Sequence, residues 1–224
     1  MLKKIYFNIV FPYYVIIKYF GIQTVMRCSQ DPFVKENIQQ FWAFISIWTH
    51  VLQQIYFYLY VFDCITSKRF HWLVKANNFL FYSLVFPLSL FVTLLFWALY
   101  FYNRDLIYPE ILDGEVSQVI NHAFHTTPML IITLQLLIMP DIKPSFKAAV
   151  SGLTLVLGIY TVILILLFKA QGKWIYVLFN IMTYQQVTVV LIVSYISTVI
   201  FTGLGLQLHV FIQKKKRKGK NLDC

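Results

Sequence analysis

Long apolar stretches separated by short polar breaks recur along the whole chain. A bilayer span takes ~20 mostly apolar residues, and about six stretches meet that length: roughly 5–22, 41–62, 79–102, 117–139, 148–168 and 176–212. The last exceeds one span. It reads as a loop or interfacial piece up to about Thr183, then a long helix from about Val187. The pattern predicts an all-α fold, a polytopic membrane bundle of about six transmembrane helices. The connections are short, and neither a linker nor a repeat divides the chain. One integral membrane domain is expected over residues 1–213, with a basic tail over 214–224.

Composition agrees with this class. The chain is 59% hydrophobic and 12% charged, with mean hydropathy +0.67, whereas a soluble domain carries about 25% charged residues. Lys3 and Lys4 before an apolar run could mark a signal peptide. The run is rich in Tyr and Phe, Lys18 interrupts it, and no small-x-small cleavage site follows, so a retained span is expected. The net charge of +10 does not imply nucleic acid, because Lys214, Lys215, Lys216, Arg217, Lys218 and Lys220 cluster just after the last span. Such a cluster sets topology and can touch anionic lipid. Most of the 19 lysines and arginines fall at the two termini and in loops 2 and 4, so that side, tail included, is expected to be cytoplasmic. Cys28, Cys64 and Cys224 make no disulfide framework. Cys64, beside a span boundary, is a possible palmitoylation site. Trp97, Tyr100, Tyr102, Trp174 and Tyr176 lie near span ends, as an aromatic belt would.

One feature breaks the apolar pattern. Asn121-His122-Ala123-Phe124-His125-Thr126-Thr127 sits inside a span. Polar and ionisable groups at bilayer depth cost several kcal/mol on simple burial scales, so the run points to a functional site facing the bundle interior. His122 and His125, three apart, fall on one helix face. Span 2 adds Ser46, His50 and Gln53. In the expected topology spans 2 and 4 enter from the same, non-cytosolic side. At ~1.5 Å per residue Ser46 lies ~8 Å deep and His125 ~12 Å deep, so they can meet if the spans touch.

A hydroxyl nucleophile needs a base, and imidazole titrates near working pH. Ser46 and His125 would form such a dyad. Asn121, His122, Thr126 and Gln53 are candidates for oxyanion or substrate support. Asp105, Glu110 and Asp113 lie in loop 3 on the same side, where one could orient the base. Blander readings compete: a lone Ser in a span bonds a backbone carbonyl, and paired histidines join helices. His50, His122 and His125 could instead hold a metal. Five histidines are too few for a His-rich membrane di-iron site. The expectation is no metal and no organic cofactor.

Three blocks in order carry a resemblance to a known family. The first is Phe86-Pro87, Phe96-Trp97 and Asn103-Arg104-Asp105-Leu106-Ile107-Tyr108-Pro109, ending Leu112-Asp113. The second is the polar run, matching N-H-x-x-H-T-T. The third is Gly172-Lys173-Trp174-Ile175-Tyr176, matching G-x-W-x-Y. Over about Phe41 to Tyr176, and more weakly beyond, the chain resembles the family of the androgen-induced gene 1 protein and the androgen-dependent tissue factor pathway inhibitor regulating protein. The resemblance implies a multispan hydrolase of fatty acid esters of hydroxy fatty acids, acting inside the membrane through a threonine and the second histidine of the run. That histidine is His125. The family pattern T-F-W-N-x-V-L-Q aligns with Ser46-Ile47-Trp48-Thr49-His50-Val51-Leu52-Gln53, so Ser46 stands at the nucleophile position. Serine keeps the hydroxyl and loses the χ1 stiffness of a β-branched residue. His50 replaces a usually apolar residue, and Val177 stands where Pro is common.

The resulting expectation is an esterase whose substrate is a lipid ester entering from the bilayer. Its contacts would be membrane lipids and no nucleic acid, in the endoplasmic reticulum or plasma membrane. The rival reading is a non-catalytic lipid-binding or scaffold protein.

Overall fold

The computed structural model describes residues 9–15, 17, 35, 39–66, 70–114, 116–140 and 142–222. Among these every regular element is helical. Residues 9–15 and 17, from the first span, are helical. Then come α1 (Ile45–Ile65), α2 (His71–Leu80), α3 (Phe86–Asn103), α4 (Gln118–His125), α5 (Thr127–Ile138), α6 (Phe146–Gln171), α7 (Val177–Asn180) and α8 (Tyr184–Leu222). The expectations for Lys18, Cys28, Cys224 and the Ser67-Lys68-Arg69 loop fall outside the described residues.

Three helical stretches are long and apolar enough to cross a membrane: His71–Leu106, Phe146–Gln171 and Tyr184–Lys218. Thr127–Ile138 is a shorter apolar helix. The chain is thus an all-α membrane bundle. α1 has the length of a span, but His50, Gln53, Gln54 and Asp63 lower its hydropathy. Its polar residues Thr49, His50 and Gln53 are buried, as intramembrane polar groups should be.

The third span is longer than 79–102. α2 and α3 join through a five-residue π-helical turn, Phe81–Val85. Pro87 explains it: proline has no N–H and its ring clashes with the carbonyl four residues back, here that of Ser83. Widening the turn relieves the clash. The Ser89 hydroxyl donates to the Val85 carbonyl at 2.5 Å, so a side chain serves backbone that the irregular turn exposes.

The expected span 117–139 is two helices, broken at Thr126 (φ −109°). Pro128 is the cause, since it cannot donate to the carbonyl of Phe124. Ser117 and Ser145 cap α4 and α6 by accepting from Ile120 and Ala148. Gly172 ends α6 at φ +73°, the left-handed conformation glycine adopts at no steric cost. Thr183 and Gln186 form a reciprocal capping box at the start of α8. That start lies three residues before the expected Val187. The last helix continues without a break through the basic segment to Leu222.

α3 is central. It packs against α1, α4, α5 and α8. α6 and α8 lie outside, with most of their apolar surface exposed. Gln53 ties the interior together: its Nε2 donates to Ser89 Oγ (2.8 Å) on α3 and to the Pro128 carbonyl (3.1 Å) on α5. Tyr56, Gln135 and Met139 interlock α1 with α5 further along. Tyr82 meets His209 Nδ1 at 2.5 Å, joining the π turn to α8.

Where α8 crosses Phe86, a Cβ built on Gly205 would come within 2.7 Å of that buried ring. At Gly203 the nearest atom would be 3.6 Å away. Gly205→Ala should therefore destabilise the protein by about 1–3 kcal/mol through overpacking. Gly203→Ala should be neutral or gain up to about 1 kcal/mol of helix propensity. Thermal unfolding of both variants in detergent checks this, and equal melting points would refute the close crossing.

Candidate functional site

The start of α1 is held by side chains from elsewhere. Phe41–Ala43 forms a 3-10 turn, Phe44 is extended, and α1 begins at Ile45. The Ile45 N–H donates to the Tyr176 hydroxyl at 2.9 Å. Tyr160 donates to the Ala43 carbonyl at 3.0 Å, and the two hydroxyls lie 2.6 Å apart. Since the Tyr160 proton is committed to Ala43, Tyr176 donates to Tyr160. The relay satisfies one of the N–H groups that every helix leaves open at its start. Tyr176 closes the G-x-W-x-Y block, so that block ends α6 with Gly172 and secures α1 with Tyr176. The aromatic-belt reading of Tyr176 is accordingly replaced by a helix-capping one.

Ser46 sits in this first turn, half-buried. Among the described residues its hydroxyl has no hydrogen-bond partner. His125 ends α4. Its Nδ1 meets the Asn121 backbone carbonyl at 3.0 Å and Asn121 Oδ1 at 2.8 Å. A backbone carbonyl only accepts, so Nδ1 carries the proton and Nε2 is left with its lone pair. The ring stacks on Phe96, 3.5 Å between centroids and 7° from parallel.

His122, three residues earlier, is exposed and stacks on Trp97 at 5.1 Å. Its Nδ1 meets Thr126 Oγ1 at 3.0 Å, and Trp97 Nε1 donates to the same oxygen at 3.0 Å. The paired histidines of the polar run thus part company: one lies on Trp97, the other on Phe96. Trp97 stands outside the cavity lining and holds His122 and Thr126.

Ser46, His50 and His125 line one cavity of about 1480 Å³. α1 touches α4, which brings Ser46 and His125 to the same space. No hydrogen bond joins Ser46 to His125 among the described residues. Asn121, His122, Thr126 and Gln53 stand outside the lining. Asn121 orients His125, Thr126 serves His122 and Trp97, and Gln53 is committed to Ser89 and Pro128. His50 is buried beside Tyr13, Tyr14 and Phe124, and among the described residues neither ring nitrogen is hydrogen-bonded. Among the described residues no three His, Cys, Asp or Glu side chains gather as a ligand set.

Among the described residues no acid of loop 3 orients His125, whose Nδ1 is held by Asn121. Asp113 pairs with Arg104 at 2.8 Å. The Arg104 guanidinium also lies over Tyr100 and Tyr108, and its Nε donates to the Tyr108 carbonyl. Burial, then the Asp113 carboxylate, pushes the Tyr108 phenol up to about 12. Tyr108 therefore stays protonated and donates to the Val116 carbonyl at 3.3 Å. The N-R-D-x-x-Y-P block is thus a self-bonded cap over the α3–α4 connection.

Fold and site together define a helical membrane protein with a serine and two histidines on the wall of an apolar cavity. The chain belongs to the FAR-17a/AIG1-like protein family, which matches over residues 7–210. It is 28% identical over 210 residues to the human androgen-dependent TFPI-regulating protein, covering 92% of this chain and 90% of that one. The rat protein of the same name is 26% identical over 94% of this chain and 90% of its own. The human androgen-induced gene 1 protein is 24% identical over 60% of this chain and 62% of its own. No solved structure matches.

Tyr176→Phe removes the hydroxyl that receives the Ile45 N–H. The expected loss is about 1–3 kcal/mol, the cost of a buried group left unpaired. Melting in detergent and hydrogen exchange at the Ile45 amide measure it. Unchanged melting with unchanged exchange would dismiss the cap.

Proposed function

We propose that this protein is an intramembrane esterase acting on lipid esters of the fatty acid–hydroxy fatty acid class, with Ser46 as nucleophile and His125 as general base. Membership of the FAR-17a/AIG1-like family is compatible with a membrane hydrolase. The observation that carries the reading is the shared cavity. Ser46 and His125, 79 positions apart in sequence, line the same apolar space, and Asn121 leaves the Nε2 of His125 free to take a proton.

The steps follow from this arrangement. His125 Nε2 accepts the Ser46 hydroxyl proton as Oγ attacks the ester carbonyl. The tetrahedral intermediate collapses and the alcohol leaves, taking the proton from His125. Water, deprotonated by His125, then attacks the acyl-Ser46 ester. The fatty acid departs and Ser46 regains its proton. Apolar walls suit a substrate with two acyl chains, since such a lipid partitions from the bilayer into an apolar space. In this reading the contact needed for proton transfer forms when substrate draws α1 and α4 together, as catalytic hydrogen bonds often tighten only in the complex.

A second reading is favoured by one observation: no Ser46–His125 hydrogen bond is present. A lipid-binding or scaffold protein needs the cavity and not the proton transfer.

Ser46→Ala and His125→Ala should each lower ester hydrolysis by about a thousandfold or more, as loss of a nucleophile or base does in serine hydrolases. Ser46→Thr keeps the hydroxyl and should retain turnover. A fluorophosphonate probe should label the wild type and neither alanine variant. Labelling that survives in Ser46→Ala, or folded wild-type protein that neither labels nor hydrolyses, would defeat the esterase reading in favour of the binding one.

A further inference from the structure

Away from Ser46 and His125, the cavity wall runs along the seam between α6 and α8. Leu157, Gly158 and Thr161 contribute from α6, and Val189, Ile192 and Val193 from α8. These are the two helices whose apolar surface is mostly exposed, and Val189, Ile192 and Val193 are themselves exposed, so the seam is open to lipid chains. Thr154 Oγ1 and Tyr195 OH cross the seam at 2.8 Å, and both residues line the cavity.

Gly158 is the unusual residue of this wall. Glycine in a helix interior lowers helix propensity, so it normally marks a close approach. Gly205 and Gly152 fit that rule, because a Cβ would meet Phe86 at 2.7 Å and Phe79 at 2.6 Å. At Gly158 a Cβ would meet nothing within 4 Å. Gly158 is exposed and lines the cavity, so it leaves room at the open edge of the seam without drawing another helix near. From Thr154 to Ile165 the α6 side of the wall extends ~17 Å at ~1.5 Å rise per residue. Such a length suits an extended hydrocarbon chain, and an apolar surface of this kind offers water too few polar partners to hold it.

We propose that the α6–α8 seam is an acyl-chain slot and that Gly158 sets the length of chain it accepts. The inference rests on the esterase reading only for placing the chain's carbonyl at Ser46. The slot continues to the same cavity that Ser46 lines, so the occupant is a single fatty acyl chain rather than a protein segment or a polar metabolite.

The test uses the full chain with Gly158→Leu, and with Leu155→Phe as a control on the exposed, non-lining face of the same helix. Two pairs of probes are used: p-nitrophenyl octanoate and palmitate for hydrolysis, and radiolabelled octanoic and palmitic acids for binding. Each methylene kept out of the slot forfeits its transfer free energy. In Gly158→Leu the palmitate-to-octanoate ratio of kcat/KM should fall about tenfold or more, equivalent to roughly 1.4 kcal/mol. Palmitic acid binding should weaken by a similar factor, while octanoic acid binding and both Leu155→Phe ratios stay at the wild-type level. Melting should be no lower than wild type, because leucine is the better helix former. Unchanged chain-length ratios in folded Gly158→Leu would overturn the slot and leave the esterase reading standing. Wild-type protein that cleaves neither ester but binds palmitic acid, with that binding lost in Gly158→Leu, would uphold the slot while the esterase reading falls. Failure of Gly158→Leu to fold would contradict the open space at Gly158 and overturn the proposal as well.

Discussion

The bundle turns on the hydrogen bonds of one buried amide. Gln53 Nε2 reaches Ser89 on α3 and the Pro128 carbonyl on α5. Both partners sit beside backbone that a proline has disturbed, at Pro87 and at Pro128 itself. Inside a membrane protein there is no water to satisfy displaced backbone groups, and each unsatisfied one costs several kcal/mol. Side chains must therefore serve them, and Ser89 and Gln53 do so. Gln53 lies two helical turns beyond Ser46 and on the same face. Pro128 lies three residues beyond His125. Locking Gln53 to Pro128 thus sets the relative depth of Ser46 and His125. Gln53 acts on the site through register.

The same proline divides the polar run. The break falls after His125, so Thr127 and the rest of the run continue on α5. His122 and His125 both lie on α4, before the break at Thr126, about 60° apart around its axis at 3.6 residues per turn, and each ring finds its own aromatic partner, Trp97 or Phe96. The consecutive pair Phe96-Trp97 on α3 works as a divider. Its Phe96 side faces the cavity through His125, and its Trp97 side holds His122 and Thr126 away from it. Thr126 and Trp97 provide His122 with a satisfied environment that the cavity would not.

The cavity is bounded by elements of two kinds. α1, α3 and α4 carry polar groups and are tied together by side-chain hydrogen bonds. α6 and α8 contribute mostly apolar surface, with the Thr154–Tyr195 hydroxyl pair crossing between them. The G-x-W-x-Y segment links the two kinds, since Gly172 ends α6 and Tyr176 secures the start of α1.

Much of this was legible in the chain before any tertiary information. Hydropathy identified the membrane class, the all-α fold and most helix positions. These follow from per-residue transfer free energies and backbone satisfaction, which are local properties. Local stop signals worked too: Gly172 ended a helix, and the long last helix began at Tyr184, within a turn of the expected Val187. Depth counting put Ser46 and His125 at matching levels, and the structure places both on one cavity. The roles of the neighbouring residues were not legible. Gln53, Asn121, His122 and Thr126 all read as polar groups at suitable depth, yet one ties helices, one orients an imidazole, and two pair with each other beside Trp97. Tyr176 read as an interfacial aromatic and is a helix cap for residues more than a hundred positions away. Local hydropathy determined which segments enter the membrane and what polar groups they carry. Only tertiary structure decided which polar group meets which, because that depends on the azimuth and register of helices distant in sequence.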